Sequence, residues 1–392
     1  MKKFLLAGTL MFSSGLLFAE CGTGTHPEAA VTSAADPQPD GVSTADNTRV
    51  QVALLLDTSN SMDGLIDQAK SRLWNIINTL TTLKYKGKAP IVEIALYEYG
   101  NDGISASADY IRRVTPFTTD LDLISEKLFS LRTNGGNEYC GAVIGQATKK
   151  LEWGHNAADM KLIYIAGNEP FNQGSTSYKE SISEALRQNI YVNTIFCGEK
   201  REGIETFWKD GADRGKGKFF NIDSDQKVRF IETPYDARIQ ACNERLNKTY
   251  VSYGARGAEK KYSQETQDRN AQSMSSANYA ERAVSKSKGA YKNDSWDLVD
   301  KVKEDKDAVA KLKKEDLPEE YKGKERREIE KLVAEKTKER EAIQKEIAGL
   351  AQQREAYIEQ ENKKTKTEDD LGEAINTSIL ELAKVKGYVV RK

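Results

Sequence analysis

VQVALLLDTSNSM, residues 50–62, is the stretch whose reading decides the fold. Apart from Gln51, residues 50–56 are apolar. A short unbroken apolar run of this kind marks a strand buried on both faces, as parallel strands covered by helices are. Directly after it, Asp57, Ser59 and Ser61 leave the strand end at spacings of two. A helical stripe then follows, with Leu65, Ala69, Leu73, Ile77 and Leu80 recurring through residues 64–83.

The same alternation continues outward. Strands are expected at 91–100, 110–117, 161–167, 191–198 and 218–223, and helices at 121–131, from near Cys140, at 177–188 and around 202–212. Strands alternating with helices give an α/β fold, a doubly wound and mostly parallel sheet covered on both faces. Such sheets bind ligands at the carboxyl ends of their strands, so the loops there are the place to look for chemistry.

On either side of this region the composition changes. Lys2 and Lys3 precede an apolar stretch from Phe4 to Phe18 that is too short for a comfortable membrane span and reads as a signal peptide over 1–19. Residues 20–48, rich in Thr, Ala, Pro, Asp and Gly, form a flexible tether. Two processing outcomes compete, cleavage after Ala19 and lipid attachment at Cys21 as in a lipoprotein. Glu20 departs from the small residue that usually precedes a lipidated cysteine. Either outcome implies export, to the bacterial periplasm or a membrane-anchored place in the cell envelope. Beyond residue 232 the strand signals stop, and 233–392 reads as an α-helical charged region. Residues 301–366 hold 19 basic and 17 acidic side chains. Within them Ile329, Val333, Ile343, Ile347, Leu350 and Tyr357 fall near heptad spacing, interrupted by Lys336 and Arg340. A partly coiled-coil C-terminal region or a helical hairpin laid on the sheet domain fits this pattern, and a single solvated helix held by charge pairs is the plainer alternative.

Charge excludes some functions. The 59 basic and 60 acidic residues nearly cancel, and the basic clusters at Lys311–Lys314 and Arg326–Arg327 alternate with acids. Neither points to nucleic acid, and no membrane contact is expected beyond a lipid at Cys21. Catalytic machinery is thin. The histidines are His26, in the tether, and His155, in a polar loop; the four cysteines are scattered singly; and no phosphate-binding glycine loop follows the first strand.

What remains is a set of hard oxygen donors. A carboxylate and two hydroxyls in one tight loop suit a divalent cation such as Mg²⁺, Ca²⁺ or Mn²⁺. The plainer reading makes Asp57 and Ser59 turn formers and helix caps. Here the sequence resembles the von Willebrand factor A (VWA) family over residues 49–232. That family's metal-ion-dependent adhesion site carries D-x-S-x-S in its first loop. The resemblance implies that a second loop, NGGNEYCG (134–141), and a third, IAGNEPF (165–171), complete the site. Both depart from the family pattern. Glu138 stands where the family has threonine, and Asn168 or Glu169 where it has aspartate. A full anion at 138 strengthens cation binding, and could also fill the position that a partner's carboxylate would otherwise take.

The expected function is thus a metal-binding protein-interaction module of the envelope, not an enzyme, engaging a protein or peptide partner through the strand-end loops. The alternative is a scaffold acting through its helical arm. Oligomeric state is left open. Cys140 and Cys197 are expected near one sheet edge and are candidates for a disulfide, with Cys242 an alternative partner for either, or each is a small buried hydrophobe. Tyr139 and Phe171, inside the two site loops, either pack those loops or form a contact surface.

Overall fold

The structure, a computed structural model, describes residues 48–223, 228–364 and 371–390. The proposed signal peptide, Cys21, His26 and all of the tether but Thr48 lie outside them.

Strand β1 (Arg49–Asp57) is the hub of a six-stranded sheet. It is flanked by β3 (Ile91–Tyr99) and β5 (Met160–Gly167), both parallel to it. Beyond β3 lies the antiparallel edge strand β4 (Ile111–Thr118), and beyond β5 lie β6 (Ile190–Cys197) and β7 (Lys216–Ile222), also parallel. The sheet order is therefore β4-β3-β1-β5-β6-β7. A short ribbon, β2 (Leu83–Tyr85) with β8 (Tyr388–Val390), stands apart from it.

Alternation along β1 supplies both cores. Val50, Val52, Leu54 and Leu56 point to one face, against α1 (Asp63–Leu80) and α2 (Leu121–Ser130). Ala53 and Leu55 point to the other, against α3 (Cys140–Lys150), α4 (Tyr178–Arg187) and α6 (Trp208–Arg214). The short α5 (Lys200–Glu205) links β6 to α6. Asp57 continues the second set, so its carboxyl enters the side of the sheet carrying α3.

Apart from β8, the regular structure described in the charged region is helical: α7 (Asp236–Asn247), α8 (Gly257–Met274), α9 (Ser276–Lys286), α10 (Leu298–Glu304), α11 (Ala308–Lys311), α12 (Arg326–Lys364) and α13 (Leu371–Val385). Helices α8 and α9 are separate because Ser275 between them is fully extended and its hydroxyl caps α9 at the Asn278 N–H. Residues 49–232 and 233–392 are not packed as separate bodies. Ile239, Leu246, Ala283 and Ile347 belong to the same continuous core as β1 and α1. Helix α13 lies on the sheet itself, burying Leu371, Ile375 and Ile379. Tyr164 of β5 and Ser378 of α13 share a hydrogen bond of 2.7 Å.

Buried ion pairs fasten this region. The guanidinium of Arg282, fully buried over Trp74, donates to Asp122 of α2 at 2.7 Å and to Asp268 at 2.5 Å. On α12 the buried stripe runs Ile329, Val333, Arg340, Ile343, Ile347, Leu350, Arg354 and faces α7, α9, α10 and α11. Arg340 is thus no interruption of the heptad pattern: it is 1% exposed and donates to Asp297 at 2.6 Å and Asp300 at 2.8 Å. The helix is neither solvated all round nor wound on a second long helix among the described residues.

The expected disulfide is not formed. Cys140 sits in the core on one face of the sheet and Cys197 in the core on the other, with Cys242 deeper among the helices. The sheet itself separates the first two. The Cys140 thiol instead donates to Tyr99 Oη at 3.8 Å, and burial pushes its pKa well up.

Candidate metal centre

Three loops meet at the carboxyl end of β1. In the first, the Ser59 N–H donates to Asp57 Oδ1 at 2.7 Å, an Asx turn that bends the chain off the strand. Ser59 precedes a short turn of 3₁₀ helix over 60–62, yet its hydroxyl caps none of that turn's N–H groups. It lies 3.2 Å from the Ser61 hydroxyl instead. The second loop is stitched to the first by the Asn134 N–H donating to the Thr58 carbonyl at 2.9 Å. From the third, the Asn168 amide donates to the Ser61 hydroxyl at 3.2 Å.

Glu138 comes into this meeting point just before α3, held by its own N–H donating to Gln173 Oε1 at 2.7 Å. Asp57 and Glu138 are both buried, 0% and 4% exposed. One oxygen of each, Asp57 Oδ2 and Glu138 Oε2, has no hydrogen-bond partner. Burial pushes the Asp57 carboxyl well above its ordinary range, the facing Glu138 adds to this, and the Ser59 N–H and hydroxyl offset part of it. Burial also raises Glu138, against hydrogen bonds that include the Glu169 backbone N–H. Two carboxyls can bond each other only through a shared proton. When both are ionised they confront one another with lone pairs.

Glycines make the room. Gly100, at φ +75°, ends β3 beside the pair, and a Cβ there would stand 2.7 Å from both Asp57 Oδ1 and Glu138 Cγ. A Cβ on Gly167, at the end of β5, would stand 2.5 Å from Tyr99 Oη and 3.1 Å from Asp57 Oδ2. Gly100→Ala should therefore push the two carboxylates apart as well as strain the backbone, costing about 2 kcal/mol. A chemical denaturation curve checks the stability loss.

Of the residues expected at the site, Asp57, Ser59, Ser61, Glu138 and Asn168 converge. The Glu169 side chain is exposed; what it brings are main-chain groups, its N–H toward Glu138 and its carbonyl accepting from Trp208 Nε1 at 2.8 Å. No group of three histidine, cysteine or acidic side chains suited to a metal occurs among the described residues. His155 is exposed in the loop before β5, at the opposite end of the sheet. Phe171 is fully buried against Trp208 and packs its loop. Tyr139 is half-buried and meets Tyr110 edge-on at 5.9 Å. Sequence reading missed Gly100, Gly167 and Gln173. A glycine closing each neighbouring strand was the available signal for the first two. Nothing marked Gln173.

The donors present fit a hard divalent cation. Two buried carboxylates with orphaned oxygens, two hydroxyls and an amide oxygen offer the right ligand chemistry. No ammonium or guanidinium is recorded beside either carboxylate among the described residues.

The von Willebrand factor A fold expected from the sequence is the one the chain adopts: the strand order and the meeting of these three loops carry it. Solved structures of similar fold include an aerotolerance-related membrane protein from Bacteroides fragilis carrying multiple mutations to serine (17% identity over 44% of this chain and 92% of that one, TM-score 0.31). The SpRpn10 VWA domain is 17% identical over 44% of this chain and 87% of its own (TM-score 0.32). The vWF domain of the type V pili tip protein Mfa5 from Porphyromonas gingivalis is 11% identical over 45% and 90% (TM-score 0.33). No protein-family model matches the chain, and no curated protein matches it.

Proposed function

We propose that this chain is an exported, non-enzymatic interaction module that holds a divalent cation between Asp57 and Glu138 and offers the surrounding loops to a protein or peptide partner. One observation carries the reading: two carboxylates are buried side by side at a three-loop junction, each with an oxygen that nothing bonds. An uncompensated pair of buried like charges is costly, and a +2 ion cancels it. Asp57, Glu138, Ser59, Ser61 and Asn168 would hold the ion, and its chemistry would be to fix these loops and accept an oxygen ligand. Because Glu138 adds a full negative charge, Ca²⁺ and Mn²⁺ are suited to the site as well as Mg²⁺.

Melting the purified chain in chelator and then in each of the three cations tests the ion. A cation at a hundred times its Kd should stabilise by about 2.7 kcal/mol. Identical melts in chelator and in every cation would sink the reading. The pH dependence has a fixed sign. Both carboxyls are raised in the folded chain, so in chelator their contribution is full below the ordinary carboxyl range and is lost as pH rises through the raised values. Melts in chelator should therefore fall from pH 4 upward more steeply than melts in saturating cation. Capture of a partner from solubilised envelopes, with and without chelator, tests the module.

A further inference from the structure

Opposite the metal centre, the amino-terminal edge of the sheet carries a surface of another kind. Val385 is 78% exposed, Val389 60%, Val390 47% and Ile91 41%, four of the largest apolar exposures in the described chain. Three of them are close along the chain, with Val389 and Val390 on opposite faces of the ribbon, and Ile91 is joined to this end through Tyr388, which reaches the Arg49 carbonyl. Val389 and Val390 are in β8, Val385 ends α13 just before it, and Ile91 pairs with Arg49 at the foot of β1. Tyr388 binds the group together, its hydroxyl donating to the carbonyl of Ala158 at 2.8 Å and its ring meeting that of Tyr85 at 5.2 Å.

Lysines surround this apolar group. Lys84 lies directly across from Val389 in the β2–β8 ribbon. Lys86 and Gly87, at φ +47° and +82°, form a two-residue turn closed by Tyr85 and Lys88, so Lys86 and Lys88 stand at a projecting tip. Lys384 and Lys386 flank Val385. No ion pair is recorded for Lys84, Lys86 or Lys384 among the described residues. Of the acids on this side, Glu93 pairs with Arg49 and Glu381 with Lys218, while Asp159 accepts the Arg49 N–H and also faces Lys386. Exposed valines beside Lys84, Lys86 and Lys384 match the interface of an anionic bilayer, where apolar side chains enter the headgroup region and ammonium groups meet lipid phosphates.

The chain also enters the fold here. Thr48, the first described residue, accepts the Ile91 N–H at 2.9 Å, and the 47 residues before it include the apolar stretch 4–18 and Cys21. We infer that this surface, centred on Val385, Val389, Lys84 and Lys86, rests on an anionic lipid surface. Nine residues of β1 at about 3.3 Å each would then hold Asp57 on the order of 26 Å above the lipid, facing away from it.

The test uses the full chain and vesicles of phosphatidylcholine with or without phosphatidylglycerol. The quantity read is the ratio of the two partition coefficients, since any anchoring through residues 1–47 is common to wild type and variants. The wild-type ratio should be on the order of tenfold at low salt and fall with added salt. K84E/K86E/K384E should bring it near one at an unchanged melting temperature. V385S/V389S should weaken partition onto the anionic vesicles several-fold. A wild-type ratio near one, or a ratio that survives the lysine substitutions, overturns the inference. So does a concentration-dependent dimer that V385S/V389S dissolves while no vesicle preference is seen, which would make this an interface between copies.

Discussion

A chain ending at Lys364 is expected to lose its cooperative unfolding transition altogether. The removed residues include α13, the last helix of the charged region, which lies on the sheet beside α1. It buries Leu371, Ala374, Ile375, Ile379 and Ala383, and Tyr388 beyond it is buried as well. It packs on α1 and on strands β5, β6 and β7, with Tyr164 of β5 bonded to its Ser378. At roughly 1.5–3 kcal/mol for each large apolar side chain, exposing this face forfeits on the order of 10 kcal/mol, as much as a whole domain's net stability. The backbone is tied too: Gln68 of α1 accepts the Leu371 N–H at 3.2 Å. Circular dichroism melts and gel filtration give the answer. A truncated chain that stays monomeric and melts within a few degrees of the parent would show that the sheet closes without α13. The same packing means that deleting 301–392 does not separate a helical arm from the sheet domain, because the last segment of that arm is part of the sheet domain's core.

How far these features were visible in the sequence depended on how local their causes are. Strands β1, β3, β5 and β6 announce themselves because each is apolar on both faces, and their flanking helices follow from periodicity within a dozen residues. The loop at Asp57 was found for a similar reason, as it directly follows a strand, whereas Glu138 was reached only through the resemblance to the von Willebrand factor A family. Ribbon β2–β8 was not legible: each strand is three residues long, and the partners are about 300 positions apart. Arg340 misled because an arginine in a heptad position normally marks a break. Here it is compensated by Asp297 and Asp300, whose distance along the chain hides the pairing. The Cys140–Cys197 expectation erred by placing a residue that opens a helix beside one that ends a strand without asking on which face of the sheet each one lies. For α13, amphipathic spacing was there to be read; its place beside α1 over β5, β6 and β7 was not.

Replacing Asp57 with Asn separates the two accounts of the loop after β1. If Asp57 were only a turn former, Asn would serve almost as well, since its amide oxygen can still accept the Ser59 N–H. The variant would then match wild type in chelator and in cation alike. If Asp57 and Glu138 form a cation site, the substitution should act in opposite directions under the two conditions. In chelator at pH 7 the variant should melt higher than wild type, because a neutral amide replaces one of two facing buried carboxylates and can donate to the orphaned Glu138 Oε2. In saturating cation it should melt lower, having lost most of the gain of about 2.7 kcal/mol, or roughly 3 °C for a chain of this size. The crossing of the two melts is what a purely structural aspartate does not produce. Glu138→Gln should cross in the same way, and the double variant should show little further change, since the repulsion disappears with the first charge removed. No change in either condition, or an equal small fall in both, would assign the residue to the turn and leave Glu138 buried for some other reason.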